Sequence, residues 1–307
     1  MRDIVVVGSL NVDVSLVAER LPRPGETVRG EGLAIGPGGK GLNQAVAAAR
    51  LGGRVHMVGS LGDDVFAEIP ERMLRGAGIE CSAVQRLPEQ STGTAAIVID
   101  RTTRQNQIAV ASGANRALSI EQVRDAIHLF RQSRVLLVQL EAPLETVAAA
   151  LAQARTCNLV RVLDPAPVPL EGDLDDALLR EVDILTPNER EAEQLSGIAV
   201  HDVESAARAG ARLQERTLGD VVVTLGADGC VWTWASGFEH VPAPTVAAVD
   251  TTGAGDAFNG GLAVALARGE RLPRALVEAV YAGSAATCRR GAAEAMPTRA
   301  QLEQMRE

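Results

Sequence analysis

The chain has 307 residues, a formal charge of −9, 46% hydrophobic residues and only 2% aromatic ones. That length suits one large α/β domain with a small appendage, and the composition requires an interior of Ala, Val and Leu. An acidic balance without basic runs excludes the footprint of a nucleic-acid binder, the few aromatics exclude a base-stacking platform, and no apolar run reaches the ~18 residues of a membrane helix.

Residues 4–8 (IVVVG) read as a first buried strand, with no leader pattern in Met1-Arg2-Asp3 ahead of it, so a soluble cytoplasmic protein is expected. The following GSLNVD sets Asn11 and Asp13 two positions apart on extended chain, so both face one way and suit a polyol; a plain Asx turn is the simpler alternative. Residues 14–35 alternate apolar and polar positions, broken by Pro22, Pro24, Gly25 and Gly30, and read as part of a strand-built flap. The stretch GPGGKGLNQ then leads into a helix over 42–51. Its glycines match GxGxxG from Gly36 to Gly41, yet they come after the flap and not directly after the first strand, which argues against a dinucleotide site. Gly41 stands where a Walker A loop needs Ser or Thr. The stretch also holds Lys40, the one lysine among 30 basic residues, beside Asn43 and Gln44. A compact ammonium meets a hydroxyl or phosphate where a planar guanidinium fits badly.

A second strand is expected at 54–59 and a further flap segment at 92–111. Then follow a helix at 119–131, a strand at 135–140 closed by Glu141 before Pro143, a helix at 143–155 and a strand at 159–164. After a strand at 182–186, TPNERE sets Asn188 at a helix start with Glu191 three residues on, which suits a cap or a carboxylate near hydrated magnesium. A helix at 203–216 and a strand at 220–225 lead to TLGADG, whose Thr224, Gly226 and Gly229 offer contacts to a nucleotide. Alternation of strand and helix implies a parallel sheet covered on both faces, with ligands at the carboxyl ends of the strands. Cys81, Cys157, Cys230 and Cys288 are scattered, without metal-ligand spacing, and read as buried thiols in a reducing compartment.

The most informative stretch is DTTGAGDAFNGG, residues 250–261. Gly253, Ala254 and Gly255 allow backbone N–H groups to approach an anion at a helix start. Asp256 beside that anion site suits a base that takes a proton from an attacking hydroxyl; an N-cap for a helix beginning near Ala257 is the structural alternative.

Together GSLNVD, GPGGKGLNQA, LEAP, TPNERE, TLGADG and DTTGAGDAFNGG, in this order along nearly the whole chain, resemble the ribokinase-like (PfkB) sugar kinase family. The resemblance implies a three-layer αβα sandwich over residues 1–307 with a mostly parallel central sheet. It also implies a small β-strand lid at about 14–35 and 92–111, and a homodimer formed through that lid. It implies ATP-dependent phosphorylation of a primary hydroxyl. GSLNVD and Gln44 tilt the acceptor towards D-ribose, giving D-ribose 5-phosphate, with 2-deoxyribose, fructose or a nucleoside as alternatives and a non-catalytic sugar sensor as a more distant one. Asp256 then matches the catalytic base, and Gly253, Ala254 and Gly255 the anion hole. Asn11, Asp13, Gly39, Lys40, Asn43 and Glu141 match sugar positions. Asn188, Thr224, Gly226, Gly229 and Gly255 match nucleotide positions, and Glu191 the Mg2+-associated glutamate. A monovalent cation, K+, is expected near Asp250, Thr252, Ala286, Arg289 and Gly291. Two departures stand out: Ala295 occupies a position where members often carry Ser, and Val280 an adenine-side position that is often polar.

Overall fold

The computed structural model describes residues 2–103, 105–169 and 174–306. Thirteen strands run in chain order as β1 (Asp3–Val7), β2 (Asn11–Ala18), β3 (Gly30–Gly38), β4 (Val55–Gly62), β5 (Glu80–Leu87), β6 (Gly93–Asp100) and β7 (Asn106–Ala111), then β8 (Ser133–Gln139), β9 (Val160–Asp164), β10 (Ile184–Leu185), β11 (Asp220–Thr224), β12 (Cys230–Trp234) and β13 (Gly237–Val241). Nine of them form one sheet in the order β13-β12-β11-β10-β9-β8-β1-β4-β5. Every neighbouring pair is parallel from β11 across to β5, and β12 and β13 join as an antiparallel edge.

The helices are α1 (Lys40–Arg50), α2 (Glu68–Gly76), α3 (Ile120–Asp125), α4 (Ile127–Gln132), α5 (Leu144–Thr156) and α6 (Asp176–Leu179), followed by α7 (Glu189–Ser196), α8 (Val203–Thr217), α9 (Ala254–Ala267), α10 (Leu272–Thr287) and α11 (Arg299–Arg306). Alternation along β1 sorts them into two layers. Ile4 and Val6 point into a core with α1, α9 and α10, while Val5 and Val7 point into a second core with α3, α4, α5, α7 and α8. All four side chains are fully buried. This is the expected αβα sandwich.

Helix α9 is buried almost all round, as its apolar sequence requires. It fits between its neighbours because the positions that meet them are glycines. A Cβ on Gly260 would stand 2.5 Å from the Cβ of Ala47 in α1, and one on Gly261 2.8 Å from that of Ala282 in α10. The NGG that follows DAF is therefore a packing device.

The remaining strands form a separate sheet in the order β3-β2-β6-β7, at the two segments expected to be a flap. Its strands reach further than that expectation, from Asn11 and to Gly38. Elsewhere the differences are small. The helix expected over 119–131 is broken at Ala126, where the backbone leaves helical geometry. The strand expected at 182–186 keeps only Ile184–Leu185. Of the four cysteines only Cys230 is buried; Cys81 and Cys157 are half-buried and Cys288 is exposed. Cys157 and Cys288 take the C-cap positions of α5 and α10, at surface ends of helices and not on their inward faces.

Candidate active site

The carboxyl ends of the parallel strands meet the leading ends of α1 and α9 at one edge of the sheet, as expected for an open α/β fold. The chain reaches α1 through Gly39 at φ +92°, with its Cα so close to the loop after β1 that a side chain would press on the Asn11 nitrogen at 2.9 Å. Only glycine tolerates both conditions. Glu141, half-buried just beyond β8, fixes this turn: one carboxylate oxygen accepts from the Lys40 N–H at 3.0 Å and from the Ser9 hydroxyl. It is not a simple surface residue.

Helix α9 begins at Ala254 after Gly253, which has left-handed backbone. No side chain caps it, although the Ala254 N–H donates to the Thr251 carbonyl at 3.2 Å, and beyond Gly255 there is free space for a ligand. Asp256 is therefore in the first turn and not the N-cap. Its carboxylate turns inward and accepts from Asn43 Nδ2 at 2.9 Å and Gln44 Nε2 at 3.2 Å. Both donors come from α1. Gln44 Nε2 also reaches Asp164 Oδ2 at 2.8 Å, and its carbonyl accepts from Gln139 Nε2 at 2.6 Å, which fixes the amide's orientation. Lys40 Nζ lies 3.5 Å from Asp164 and 4.0 Å from Asp256.

This network sets the charges. Burial pushes the Asp256 carboxyl up from 3.8 to about 6, with Lys40 opposing and Asp164 adding to the rise. Burial likewise raises Asp164 against the pull of Lys40. Asp13 also rises to about 6, through burial and then the charges of Glu141, Glu294 and Asp256. Burial works against the Lys40 ammonium, but Asp164 and Asp256 outweigh it and hold the side chain firmly charged. Two buried atoms of this cluster, Asn43 Oδ1 and Gln139 Oε1, have no partner. Such an atom costs about 1–3 kcal/mol until something donates to it.

Asn11 and Asp13 lie on β2 and not in a turn, and Asn11 Oδ1 accepts from Asn115 Nδ2 at 2.7 Å. On the other side of Asp256 lies a cavity of about 330 Å³, lined by Thr224, Gly226 and Gly229 after β11, by Ala254 and Gly255, and by one face of α10. Asn188 caps α7, and Glu191 closes a capping box with it, each side chain accepting the other's backbone N–H at 3.0 and 2.9 Å. Burial raises the Glu191 carboxyl. Further along, Asp250 accepts from the Thr252 N–H and hydroxyl and from the Gly291 N–H. Burial alone would raise its pKa, but these hydrogen bonds hold it below the usual range. The Asp250 N–H donates to the Thr287 carbonyl at 3.1 Å, which ties this turn to the end of α10, where the Arg289 N–H donates to the Ala286 carbonyl at 3.3 Å.

The expected residues thus fall into three adjoining groups: a polar cluster with the catalytic candidate, the cavity, and the Asp250 turn. Asp164 and Gln139 were not anticipated, although a carboxylate ending an apolar strand, the signal that marked Glu141, also marks Asp164. Ser284, Thr287 and Thr245 line the cavity without any motif to announce them, and Phe258 lies inside DTTGAGDAFNGG, where nothing singles it out.

Residues 1–299 match the family described as pfkB family carbohydrate kinase. The chain belongs to that family. Among relatives of this kinase, a ribokinase of Haemophilus influenzae is 37% identical, with 97% of this chain and 96% of the relative covered. A deoxyribokinase of Salmonella typhi is 38% identical, covering 84% of this kinase and 83% of its own length. The solved structure of Arabidopsis thaliana ribokinase complexed with ribose and ATP superposes with a TM-score of 0.90 at 30% identity, covering 99% of this kinase and 98% of that chain.

Proposed function

We propose that this kinase transfers the γ-phosphoryl group of ATP to the primary hydroxyl of D-ribose, giving D-ribose 5-phosphate and ADP. The observation that carries the reading is Asp256. It is buried at the uncapped start of α9, has a pKa lifted to about 6, and lies between a polyol-type cluster and a nucleotide-sized cavity. In the reaction the Asp256 carboxylate takes the hydroxyl proton as the oxygen–phosphorus bond forms. The bond to the bridging oxygen of ADP breaks, and the charge developing on the transferred group meets the N–H groups around Gly253, Ala254 and Gly255. Lys40 adds positive charge beside the acceptor. Asn11, Asp13, Asn43 and Glu141, with the Gly39 turn, orient the sugar, and the unpartnered Asn43 Oδ1 is a ready acceptor for one of its hydroxyls. Asp13 already sits in the field of Glu141, Glu294 and Asp256, so a neutral sugar suits this end and a phosphosugar is repelled.

Asn188, Thr224, Gly226 and Gly229 hold the nucleotide. The described residues hold no cluster of three or more His, Cys, Asp or Glu side chains able to cage a metal ion. Glu191, a carboxylate in the field of Lys40 and Asp256, would help hold Mg2+ brought in with the ATP phosphates, and the ion would neutralise phosphate charge. Asp250, kept ionised, and the carbonyls of the turn through Thr252, Ala286, Arg289 and Gly291 suit a monovalent cation such as K+. Ala295 adds no hydroxyl to it. The β2-β3-β6-β7 sheet serves as a lid, and a second copy of the chain meets it there. Ile108 and Val110 are 56% and 55% exposed, and Val110 is in register with Ala95 and Asp13, on the sugar-facing side. A cytoplasmic location accords with the absence of any helix among the described residues long and apolar enough to cross a membrane.

A second reading, with 2-deoxyribose as acceptor, is favoured by the similarity to the deoxyribokinase. ADP release with ATP and magnesium against ribose, 2-deoxyribose, fructose, fructose 6-phosphate and nucleosides decides between them. Ribose-dependent release is expected. Release only with another acceptor reassigns the sugar, and release with none removes the catalytic reading.

A further inference from the structure

The cavity beside Asp256 has a chemical peculiarity at the end away from the reaction. Phosphates belong at the Ala254 and Gly255 end, where the open N–H groups of α9 and the base lie. The purine base must then occupy the opposite end, between Val280 of α10 and the loop that carries Ala243 and Thr245. Helix α10 turns Val280, Gly283, Ser284 and Thr287 towards it, spaced as one helical face. Val280 is 4% exposed and purely apolar. Among the described residues lining the cavity there is no carboxylate, carboxamide, imidazole, ammonium or guanidinium. The polar side chains are hydroxyls only.

Hydroxyls are both donor and acceptor and rotate to suit their partner. Adenine presents a donor amine at position 6 and an acceptor at N1; the oxo purines present the reverse, a carbonyl at position 6 and an N–H at N1. A side chain of fixed polarity separates the two by leaving itself unpaired against the wrong base, and built sites of that kind discriminate by about 10⁴–10⁵. Shape and apolar contact alone separate near-isosteric ligands by only about 10–200-fold.

We infer that this kinase selects its phosphoryl donor as a purine nucleoside triphosphate and not as ATP alone, with GTP and ITP accepted alongside ATP. The inference rests on the proposed reading of the cavity as the nucleotide site. It does not depend on which acceptor sugar is used.

The test measures dissociation constants for the magnesium complexes of ATP, GTP and ITP by calorimetry on the whole protein, and kcat/KM for each with ribose, following ribose 5-phosphate directly. Dissociation constants for the three within about 200-fold, the range that shape and apolar contact can produce, support the inference, and they do so even if ribose proves not to be the acceptor; where turnover occurs, kcat/KM follows the same window. Tighter binding of ATP by more than that factor overturns it and assigns base reading to backbone groups. Failure of all three to bind removes the cavity from the nucleotide and the inference with it. Ser284→Ala gives a second readout: the ATP-to-GTP ratio stays within the same window, whereas a ratio that opens beyond it makes Ser284 a base-reading residue and overturns the inference.

Discussion

At the scale of single residues, the proposed chemistry turns on Asp256. A carboxyl with a pKa of about 6 is a stronger base than an ordinary aspartate, yet it remains ionised at neutral pH. Below pH 6 the fraction able to take the hydroxyl proton falls about tenfold per unit, so kcat/KM for ribose should fall with that slope on the acid side. A flat profile from pH 5 to 8 would remove the role. Asp256→Asn should lower kcat by at least ~10²- to 10⁴-fold while ribose and ATP still bind. The same substitution has a consequence for stability. The native pKa lies above the unfolded value, so the native state binds this proton more tightly. The stability Asp256 contributes is complete below about pH 3.8 and is lost as the pH rises through about 6. The variant has no such loss, and Asn43 can turn its unpartnered Oδ1 towards the new amide. In thermal melts without ligand, Asp256→Asn should therefore gain on the parent between pH 4 and 6 and stay more stable above pH 6. A gap that is the same at pH 4 and pH 8 would contradict this linkage. Catalytic placement here costs stability, as strained active sites generally do.

At the scale of elements, α1 and α9 act as one unit, because the first supplies Lys40, Asn43 and Gln44 and the second supplies Asp256. Their separation is set by Gly260 against Ala47 and Ala48. Gly260→Val puts carbon where a Cβ already meets Ala47 at 2.5 Å and the Ala48 nitrogen at 2.9 Å. Overpacking of this kind should cost about 1–3 kcal/mol in denaturant unfolding and, by parting Asn43 and Gln44 from Asp256, reduce kcat as well. Unchanged stability and turnover would show that the two helices yield without consequence. The buried strands of the large sheet and the long helices were legible in the sequence, because continuous β-branched runs and 3.6-residue periodicity are local signals. DTTGAGDAFNGG located the start of α9 for the same reason, but left open whether Asp256 caps it. The helix start at Ala254 answers that, and the approach of α1, from more than 200 residues away, turns the carboxylate inward by giving it two amide donors. Asp164 and Gln139 escaped notice because each looks like an ordinary strand end until Gln44 and Lys40 arrive beside it. The cavity lining is still less legible: Val280 stands out only through the family resemblance, Ser284 reads as ordinary helix interior, and their role depends on where α10 packs.

At the scale of the molecule, the small sheet poses the open question of what covers the exposed pair Ile108 and Val110 on β7; the exposed Leu33 and Ile35 of β3 pair with Leu16 and Val14 and take the other face. Cross-strand register settles which face they occupy. Asp13 pairs with Ala95 and Ala95 with Val110, so Val110 shares the face of the Asp13 carboxylate, proposed to bind the sugar, and Ile108 lies two residues along on the same side. In a monomer these side chains would meet water next to a site that must exclude it. A second lid laid across the first would bury Ile108 and Val110 and, in the same step, close the sugar site. Assembly and sugar affinity are then one linked property. Ile108→Asp places a charge at that contact without touching Asp256, Lys40 or the cavity. Light scattering should find the parent dimeric and the variant shifted to monomer, and the KM for ribose should rise at least about tenfold, as 1.4 kcal/mol of lost closure requires. ATP binding, on the far side of Asp256, should change little. If the variant dissociates but keeps its ribose KM, the contact is an assembly surface only and each lid closes on its own; if the parent is already monomeric, the exposed pair belongs to a lid that closes without a partner.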